Sequence, residues 1–347
     1  MHNGDILILK GREVASLLAG RESELLQIVK TAYEVHSKGH SSLPHSLFLR
    51  FPDNPRNRII ALPAYLGDDF GVAGIKWVSS FPANLEKGQD RASAVVILNS
   101  HETGRPQAIL EGSIISAKRT AASAALAATY LQGDNTNCAG IIGCGLISFE
   151  IVRFLPVACP EIKTLYVFDI YSSNAQQFKD KCREISGRIE VIVAGDVNTV
   201  ISKCKLISLA TTAAKPHIMD ISAAAPGSTI LHISLRDLSP EVILSCNNIV
   251  DDADHVCRAE TSIHLTEQVV GHRDFIRGTL ADVTTGAIAA RENPNENVIF
   301  SPFGLGILDL ALSKFAFELA LKAGLGTTFE SFLPDRWIER SEKNAAS

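Results

Sequence analysis

The sequence feature that most constrains this chain is a glycine-rich turn near its middle. Residues 138–150 read Cys-Ala-Gly-Ile-Ile-Gly-Cys-Gly-Leu-Ile-Ser-Phe-Glu, an apolar run that reaches two closely spaced glycines and then opens into a helical pattern. In this order of strand, tight turn and helix, Gly143 permits the turn, Gly145 lets backbone approach a pyrophosphate, and the helix start meets its negative charge. Ser148 replaces the commoner third glycine and is small enough for close packing. The stretch therefore predicts a dinucleotide-binding site.

The next apolar run ends in a carboxylate. Residues 164–169 read Thr-Leu-Tyr-Val-Phe-Asp, which places Asp169 where the ribose ligand of such a site is expected. Asp169 would accept hydrogen bonds from the adenosine ribose and repel a 2′-phosphate, and no arginine follows it in residues 170–173. NAD is therefore favoured over NADP. The alternative is an ordinary strand-to-helix turn with glycines present for steric reasons.

Composition and charge favour a soluble, cytoplasmic enzyme with small-molecule partners. The 347 residues, 46% of them hydrophobic, are enough for two domains with substantial cores. The net charge of -5 predicts no surface for nucleic acid or an anionic membrane. No apolar run approaches the ~20 residues of a membrane span, and the first residues lack a signal sequence. Seven scattered cysteines without a Cys-x-x-Cys pair are typical of a reducing compartment; Cys144 is read as a packing residue, with a redox switch as the alternative.

The chain before the turn predicts a different kind of unit from the chain after it. A strand at 5–9 and helical spacing over 13–37 precede a series of strands that suits an antiparallel meander: 47–51, 58–62, 71–78, 94–98 and 106–110. His36 and His40 are four residues apart, but Gly39 indicates a helix end and no third ligand is evident, so no metal site is expected.

From 113 onward helices dominate the pattern. An alanine-rich helix at 113–131 leads into the glycine-rich strand, and strands then alternate with helices as far as 251. Such alternation predicts a mainly parallel, doubly wound α/β sheet. The last long helix, 306–323, is expected to return to the β-rich unit.

Loops at the carboxyl ends of the later strands are candidate site residues, because parallel sheets carry out their chemistry there. Thr211, Thr212 and Ser234 are candidates for cofactor contacts and Asp237 for catalysis. The alternative for Asp237 is a loop residue that caps the helix near Pro240. Lys118 and Arg119 at the start of the alanine-rich helix are either a solvated charge pair or substrate anchors.

Four segments, in this order, resemble the ornithine cyclodeaminase/mu-crystallin family over essentially the whole chain. They are Gly-Ile-Lys-Trp-Val at 74–78, Ser-Ala-Lys-Arg-Thr-Ala-Ala at 116–122, the Gly-Cys-Gly turn at 143–145 and the Asp237 loop. The resemblance implies a Rossmann-type NAD domain (125–304) inserted in an α+β substrate-binding and dimerisation domain (1–124 with 305–347). It also implies a homodimer.

The resemblance assigns roles to individual residues. Lys76 and Arg119 match the family's ligands for the substrate carboxylate, Lys76 counting also as catalytic, and Asp237 matches its catalytic acid/base. The implied cofactor contacts are Gly143, Gly145, Leu146, Ile147, Asp169, Thr211, Thr212 and Ser234. An arginine fork and a lysine point charge both suit an amino-acid carboxylate.

Several residues depart from the cyclodeaminase pattern. His45 stands where an arginine ligand is expected, with Arg50 nearby; Arg91 and Ser93 replace a threonine region, and Arg236 precedes Asp237. The added cationic groups favour a substrate with three carboxylates over ornithine.

Within the family, residues 44–50, 88–93 and 234–239 most resemble the members that oxidise N-(2-amino-2-carboxyethyl)-L-glutamate with NAD, and this resemblance implies that activity. The products are 2,3-diaminopropionate and 2-oxoglutarate, for a siderophore or another non-ribosomal product. The alternatives are an ornithine cyclodeaminase, an alanine dehydrogenase or a ketimine reductase of the same family, and a non-catalytic binding protein like mu-crystallin. A redox-sensing regulator would need a DNA-binding segment, and none is evident.

Overall fold

A computed structural model of the protein describes residues 4–133, 136–185 and 189–334. The strands of these residues are β1 (Ile6–Leu9), β2 (Ser41–Ser42), β3 (Leu47–Phe51), β4 (Asn54–Leu66), β5 (Val72–Ser80), β6 (Ala92–Ser100), β7 (Pro106–Glu111), β8 (Cys138–Ile142), β9 (Thr164–Phe168), β10 (Glu190–Val193), β11 (Leu206–Leu209), β12 (Thr229–His232), β13 (Asn247–Val250), β14 (Ile276–Thr279), β15 (Val298–Ser301) and β16 (Thr327–Phe329). The α-helices are α1 (Gly11–Leu18), α2 (Glu22–Ser37), α3 (Ser113–Leu131), α4 (Leu146–Ala158), α5 (Ser172–Cys182), α6 (Val197–Lys203), α7 (Pro240–Leu244), α8 (Ala253–Val256), α9 (Ser262–Val270), α10 (Leu280–Thr284) and α11 (Gly306–Ala323).

The first sheet is mainly antiparallel. Its strands lie in the order β16-β1-β7-β6-β5-β4-β2, with β3 also paired to β4, and only β1 and β7 among its described strands run parallel. One face carries Lys76, Leu62 and Val96 at paired positions and is buried against helices, whereas the opposite face carries Trp77 and Ala61. The two faces therefore differ in their surroundings, because successive side chains of a strand point to opposite sides of the sheet.

The second sheet is parallel, in the order β10-β9-β8-β11-β12-β15-β13-β14. Its first five strands follow the doubly wound pattern, in which the chain reverses direction across the sheet between β8 and β11. Ligands of such sheets bind outside the carboxyl ends of the strands at this switch point. The prediction of a Rossmann-type sheet beside a mainly antiparallel one is confirmed.

Helix α3 packs against both sheets, at β6 and at β12, and helix α11 packs against the first sheet. The small side chains of α3 permit close approach, and this helix packs against both α2 and α4, with Ala121 and Ala125 fully buried. Helix α11 returns to the first sheet as predicted: a Cβ on Gly74 of β5 would lie 3.1 Å from Leu310. The site-bearing strands of both sheets are thereby held to one shared layer of helices.

The prediction of one helix over 13–37 was wrong, because Gly20, with a φ of +69°, ends α1 before α2 begins. Helices α8, α9 and α10 and strands β2, β14, β15 and β16 were not predicted. Strand β14, for example, reads Ile-Arg-Gly-Thr and offers a single apolar residue. Residues 335–347, the last part of the predicted substrate-binding and dimerisation domain, lie outside the described residues. Among the described residues, no helix combines the length and apolar character that crossing a membrane requires.

Candidate active site

The glycine-rich turn follows β8 and leads directly into α4. Gly143 has a φ of +90°, and a Cβ there would lie 2.6 Å from the carbonyl oxygen of Ala210 after β11. Within the part of the chain that the structure describes, a Cβ on Gly145 would meet nothing within 4 Å and no side chain caps α4. Ser148 is fully buried and its hydroxyl donates to the Gly143 carbonyl. Gly143 is therefore required by the fold, whereas the space at Gly145 and the uncapped helix start fit an anionic ligand.

Asp169 lies against this turn. Its Oδ2 accepts the Cys144 N–H at 2.9 Å, and its Oδ1 accepts the Tyr171 N–H at 3.0 Å and the Asn174 side chain at 3.3 Å. A carboxylate offers about four acceptor positions, so a ribose hydroxyl can bind the remaining one or displace Asn174. Burial, with Asp169 nearby, raises the pKa of Cys144 to about 12, which favours the packing role over a reactive thiolate.

Lys76 and Arg119 share one buried carboxylate that was not predicted, Asp309 of α11. Lys76 Nζ lies 2.6 Å from Asp309 Oδ2, Arg119 Nε lies 3.2 Å from Oδ1, and Lys76 also donates to Ser116 at 3.2 Å. Asp309 is 0% and Lys76 is 2% exposed. Burial, and then repulsion from Arg119, lowers the pKa of Lys76 to about 8 despite the attraction of Asp309. The structure thus joins the two predicted carboxylate ligands, and Lys76 can exchange a proton near neutral pH.

Asp237 lies at the carboxyl end of the parallel sheet with its side chain fully buried. The hydroxyls of Thr211 and Ser234 donate to its carboxylate, and His217 Nε2 lies 3.0 Å from Oδ1. Burial alone would raise the pKa of Asp237, but contacts with His232, Ser234 and Thr211 outweigh it and hold the pKa well below its usual range. Asp237 therefore stays ionised at neutral pH.

Two of the predicted cofactor ligands, Thr211 and Ser234, contact Asp237 in this structure. Thr211 and Ser234 use their hydroxyls to hold Asp237, whereas Thr212 is exposed. Leu235 has a φ of +73°, a strained conformation for a residue with a Cβ, in the loop that delivers Asp237. Strain retained at this point indicates that the position of the Asp237 loop is held by its surroundings.

Four arginines converge at the end of the first sheet. Arg50 and Arg58 are direct cross-strand partners in β3 and β4, and Arg91 Nη1 lies 3.4 Å from Ser80, the partner of Arg58 in β5. Burial, followed by repulsion from Arg236, Arg91 and Arg50, lowers the pKa of Arg58. No carboxylate of the described chain lies within 4 Å of these four guanidiniums. The arrangement suits a polyanionic ligand. Arg58 was not predicted as a site residue, because the sequence pattern of a strand does not reveal which residue of the neighbouring strand lies opposite it.

The remaining predicted substrate ligands fall in two places. His45 is exposed and packs edge-on against His255, with 5.2 Å between ring centroids. Ser93 bonds Ser79 at 2.8 Å and lies on the face of the sheet opposite Lys76, away from the other predicted substrate ligands. Arg236 donates to the Ala259 carbonyl at 2.6 Å and makes no ion pair with Asp237 within the described residues.

Comparison with known proteins gives consistent matches over almost the full chain. An N-((2S)-2-amino-2-carboxyethyl)-L-glutamate dehydrogenase of Staphylococcus aureus is 28% identical, over 95% of this chain and 100% of its own length. The Δ1-pyrroline-2-carboxylate reductase of Thermococcus litoralis, solved with NADH and L-proline, has a TM-score of 0.86 and 27% identity, covering 93% of this chain and 99% of its own. An archaeal alanine dehydrogenase dimer with bound NAD has a TM-score of 0.83 and 27% identity, covering 94% of this chain and 99% of its own.

A family-wide sequence model gives the same result. The model described as the ornithine cyclodeaminase/mu-crystallin family matches residues 7–324, a range that contains the glycine-rich turn, Lys76, Arg119 and Asp237. The chain therefore belongs to the ornithine cyclodeaminase/mu-crystallin family, as its motifs predicted.

Proposed function

We propose that this chain is an NAD-dependent dehydrogenase that oxidises N-(2-amino-2-carboxyethyl)-L-glutamate and releases 2,3-diaminopropionate and 2-oxoglutarate. The observation that supports this most is the group of four arginines on the same face of the first sheet as Lys76. Leu62 is the cross-strand partner of Lys76, and Arg58 lies four residues from Leu62 along β4. Four residues of a strand span about 13 Å. A substrate with three carboxylates can engage both ends of this face, whereas alanine or proline has a single carboxylate.

The residues at the switch point fit NAD. The N–H groups of α4 and the open space at Gly145 would hold the pyrophosphate, and Asp169 would hold the ribose. Leu146 is 61% exposed at the start of α4 and would be covered by the cofactor. When bound, NAD accepts the hydride that leaves the α-carbon of the glutamate part.

Side chains of this chain carry the remaining steps. Arg119 and Lys76 bind the α-carboxylate and orient the reacting carbon, while the arginine group binds the distal carboxylates. Loss of the hydride leaves a cationic imine, which the ionised Asp237 stabilises. Water then attacks the imine carbon and gives up a proton to the Asp237–His217 pair; His217 is 42% exposed and can pass this proton to solvent. Collapse of the carbinolamine breaks the C–N bond.

The wider setting of the enzyme follows from other features. We propose that residues 125–304 form the NAD domain, because the strands of the parallel sheet lie between Cys138 and Ser301. We propose that the chain forms a homodimer through the outer face of the first sheet, which is the face that carries Trp77 and lies opposite Lys76. All seven cysteines are free, which suits the reducing cytoplasm, and the product would serve a siderophore or a related pathway.

The test is NADH formation at 340 nm with NAD and N-(2-amino-2-carboxyethyl)-L-glutamate, run beside ornithine, alanine and proline, with products identified by mass spectrometry. We expect 2,3-diaminopropionate and 2-oxoglutarate in equal amounts. Preference for alanine or proline would leave the cofactor assignment intact and refute the role of the arginines. NAD binding without turnover of any of these compounds would instead indicate a protein like mu-crystallin.

A further inference from the structure

A second acid–histidine pair lies outside the Asp237 loop, around α8. His255 Nδ1 is 2.9 Å from Asp252 Oδ1, and the same oxygen accepts the His255 backbone N–H at 2.8 Å. His255 is 7% exposed. This double contact fixes the ring, and the hydrogen bond at Nδ1 determines that Nε2 is the nitrogen left to react.

Nε2 of His255 is buried and has no partner among the described residues. A buried polar atom without a hydrogen bond costs on the order of 1–3 kcal/mol, so such atoms in native proteins call for an explanation. A ligand that bonds Nε2 would remove this cost. The other nitrogen cannot serve, because it already faces Asp252.

The surroundings of His255 lead to the carboxylate ligands. Its ring packs against His45 and against Phe303, with centroid distances of 5.2 and 6.4 Å. Gly304 follows Phe303, and a Cβ on Gly304 would lie 2.6 Å from Arg119 Nη1. The Phe303–Gly304 segment thus lies against both the His255 ring and Arg119, the proposed ligand of the substrate carboxylate.

The charges around His255 favour a protonated imidazole. Burial acts to lower the pKa of His255, but the hydrogen bond and charge of Asp252, with Asp251, raise it above its ordinary value against repulsion from Arg258. Asp252 also pairs with His36 of α2 at 3.1 Å, and the His36 side chain is 19% exposed. The ring of His45 also packs against His255, and the ring of His36 contacts Asp252 from α2. Asp252 thus links the buried ring to a histidine that reaches solvent.

We propose that His255 is the general acid that protonates the departing nitrogen of the substrate. Its Nε2 proton passes to the carbinolamine nitrogen as the C–N bond breaks, the bonding electrons stay on nitrogen, and the hydroxyl proton leaves to the Asp237–His217 pair. The imidazole keeps its Nδ1 proton in the hydrogen bond with Asp252 and regains the Nε2 proton from water that enters once the product amine has left. The assignment rests on the proposed function for the identity of the substrate, and it applies equally to the ammonia that leaves when alanine is oxidised.

The test separates hydride transfer from amine release in a His255→Gln variant. In stopped-flow experiments with NAD and N-(2-amino-2-carboxyethyl)-L-glutamate, NADH should appear in a burst at the wild-type rate. Quenched samples should show amine release slowed about 100-fold, the usual size of a general-acid effect. In a His255→Gly variant, added imidazole should restore much of this rate. The control is His272→Gln, which replaces an exposed histidine and should release amine at the wild-type rate.

Two results would overturn the assignment: amine release at the wild-type rate, or loss of the burst together with NAD affinity, which would mean a structural role. A readout without turnover uses protein labelled at histidine Cε1. The NMR resonance of His255, assigned from the variant, should shift on addition of 2-oxoglutarate, and an unchanged resonance would also count against the proposal. If the wild type oxidises alanine instead of the tricarboxylate, the proposed function fails. The role of His255 can then still be tested by the same burst experiment with alanine as substrate and ammonia as the measured product.

Discussion

Lys76 Nζ lies 2.6 Å from Asp309 Oδ2, although one residue stands on β5 and the other on the last long helix. The pair is buried, and the same carboxylate contacts Arg119 at 3.2 Å. Two cations that are proposed to bind substrate are thus held in place by one anion. The last helix is therefore part of the site as well as of the fold.

Replacement of Asp309 by Asn should destabilise the protein by about 3–5 kcal/mol, because it leaves buried cations without a counter-charge. Urea unfolding followed by circular dichroism measures this loss. Glu318→Gln, which removes the exposed partner of Lys314, is the control and should cost no more than about 1 kcal/mol. A loss below about 1 kcal/mol for Asp309→Asn would show that the buried pair does not hold α11 to the sheet.

The stability of the protein should also depend on pH through Lys76. Its pKa is about 8 in the folded chain and near 10.5 when unperturbed, so the unfolded state binds more protons between these values. The free energy of unfolding should therefore rise with pH over this window, by about 3 kcal/mol for this group. The comparison is with Lys76→Met, in which this contribution is absent while all other groups titrate as before. Parallel pH profiles for the two proteins would contradict the lowered pKa.

The two glycines of the turn should respond differently to alanine. Gly143→Ala forces a Cβ to within 2.6 Å of the Ala210 carbonyl at a φ of +90°, and should cost about 2 kcal/mol or more of stability. Gly145→Ala meets open space and should change stability by less than about 1 kcal/mol. NAD affinity of the Gly145 variant, measured by fluorescence titration, should nevertheless fall at least tenfold. Normal affinity would remove Gly145 from the proposed phosphate site.

The order of elements could be predicted from the sequence because apolar periodicity and glycine positions are local properties. The glycine-rich turn, α3 and α11 lie where the patterns placed them. Short strands with few apolar residues, such as β14, carry no such signal. The predictable part of the fold is therefore the part that buries long, regular apolar faces.

Side-chain partners were less accessible, because they depend on contacts between distant parts of the chain. Asp309 stands in an apolar helix, which signals a buried charge in need of a partner, but not that the partner is Lys76, 233 positions away. Arg58 lies on a recognisable strand, yet its place opposite Arg50 depends on the register across the β3–β4 turn. His255 carried no motif. The role proposed for it rests on Nε2, which is buried without a partner among the described residues.

Arg58→Gln should raise stability while it weakens substrate binding. Like charges directly opposite in a sheet are destabilising, with cross-strand pairs worth roughly 0.2–1 kcal/mol, so removing one of Arg50 and Arg58 should stabilise the free protein by a similar amount. The KM for the tricarboxylate should rise at least tenfold, because a buried charged hydrogen bond is lost. Arg12→Gln, on the exposed side of α1, should alter neither quantity. Lower stability with an unchanged KM would make Arg58 a structural residue.

The outer face of the first sheet should be the dimer interface. Leu47, Leu49 and Trp77 are 70%, 48% and 40% exposed there, on the face opposite Lys76. A contiguous apolar sheet face of this kind marks a protein contact, and the archaeal alanine dehydrogenase of similar structure is a dimer. Trp77→Lys would bury a charge in the contact, so sedimentation equilibrium should give a monomer where the wild type gives a dimer. Leu321→Lys introduces the same charge at a leucine of α11 that is 48% exposed and should leave the dimer intact. A dimer that survives Trp77→Lys, or a monomeric wild type, would rule out this face as the interface.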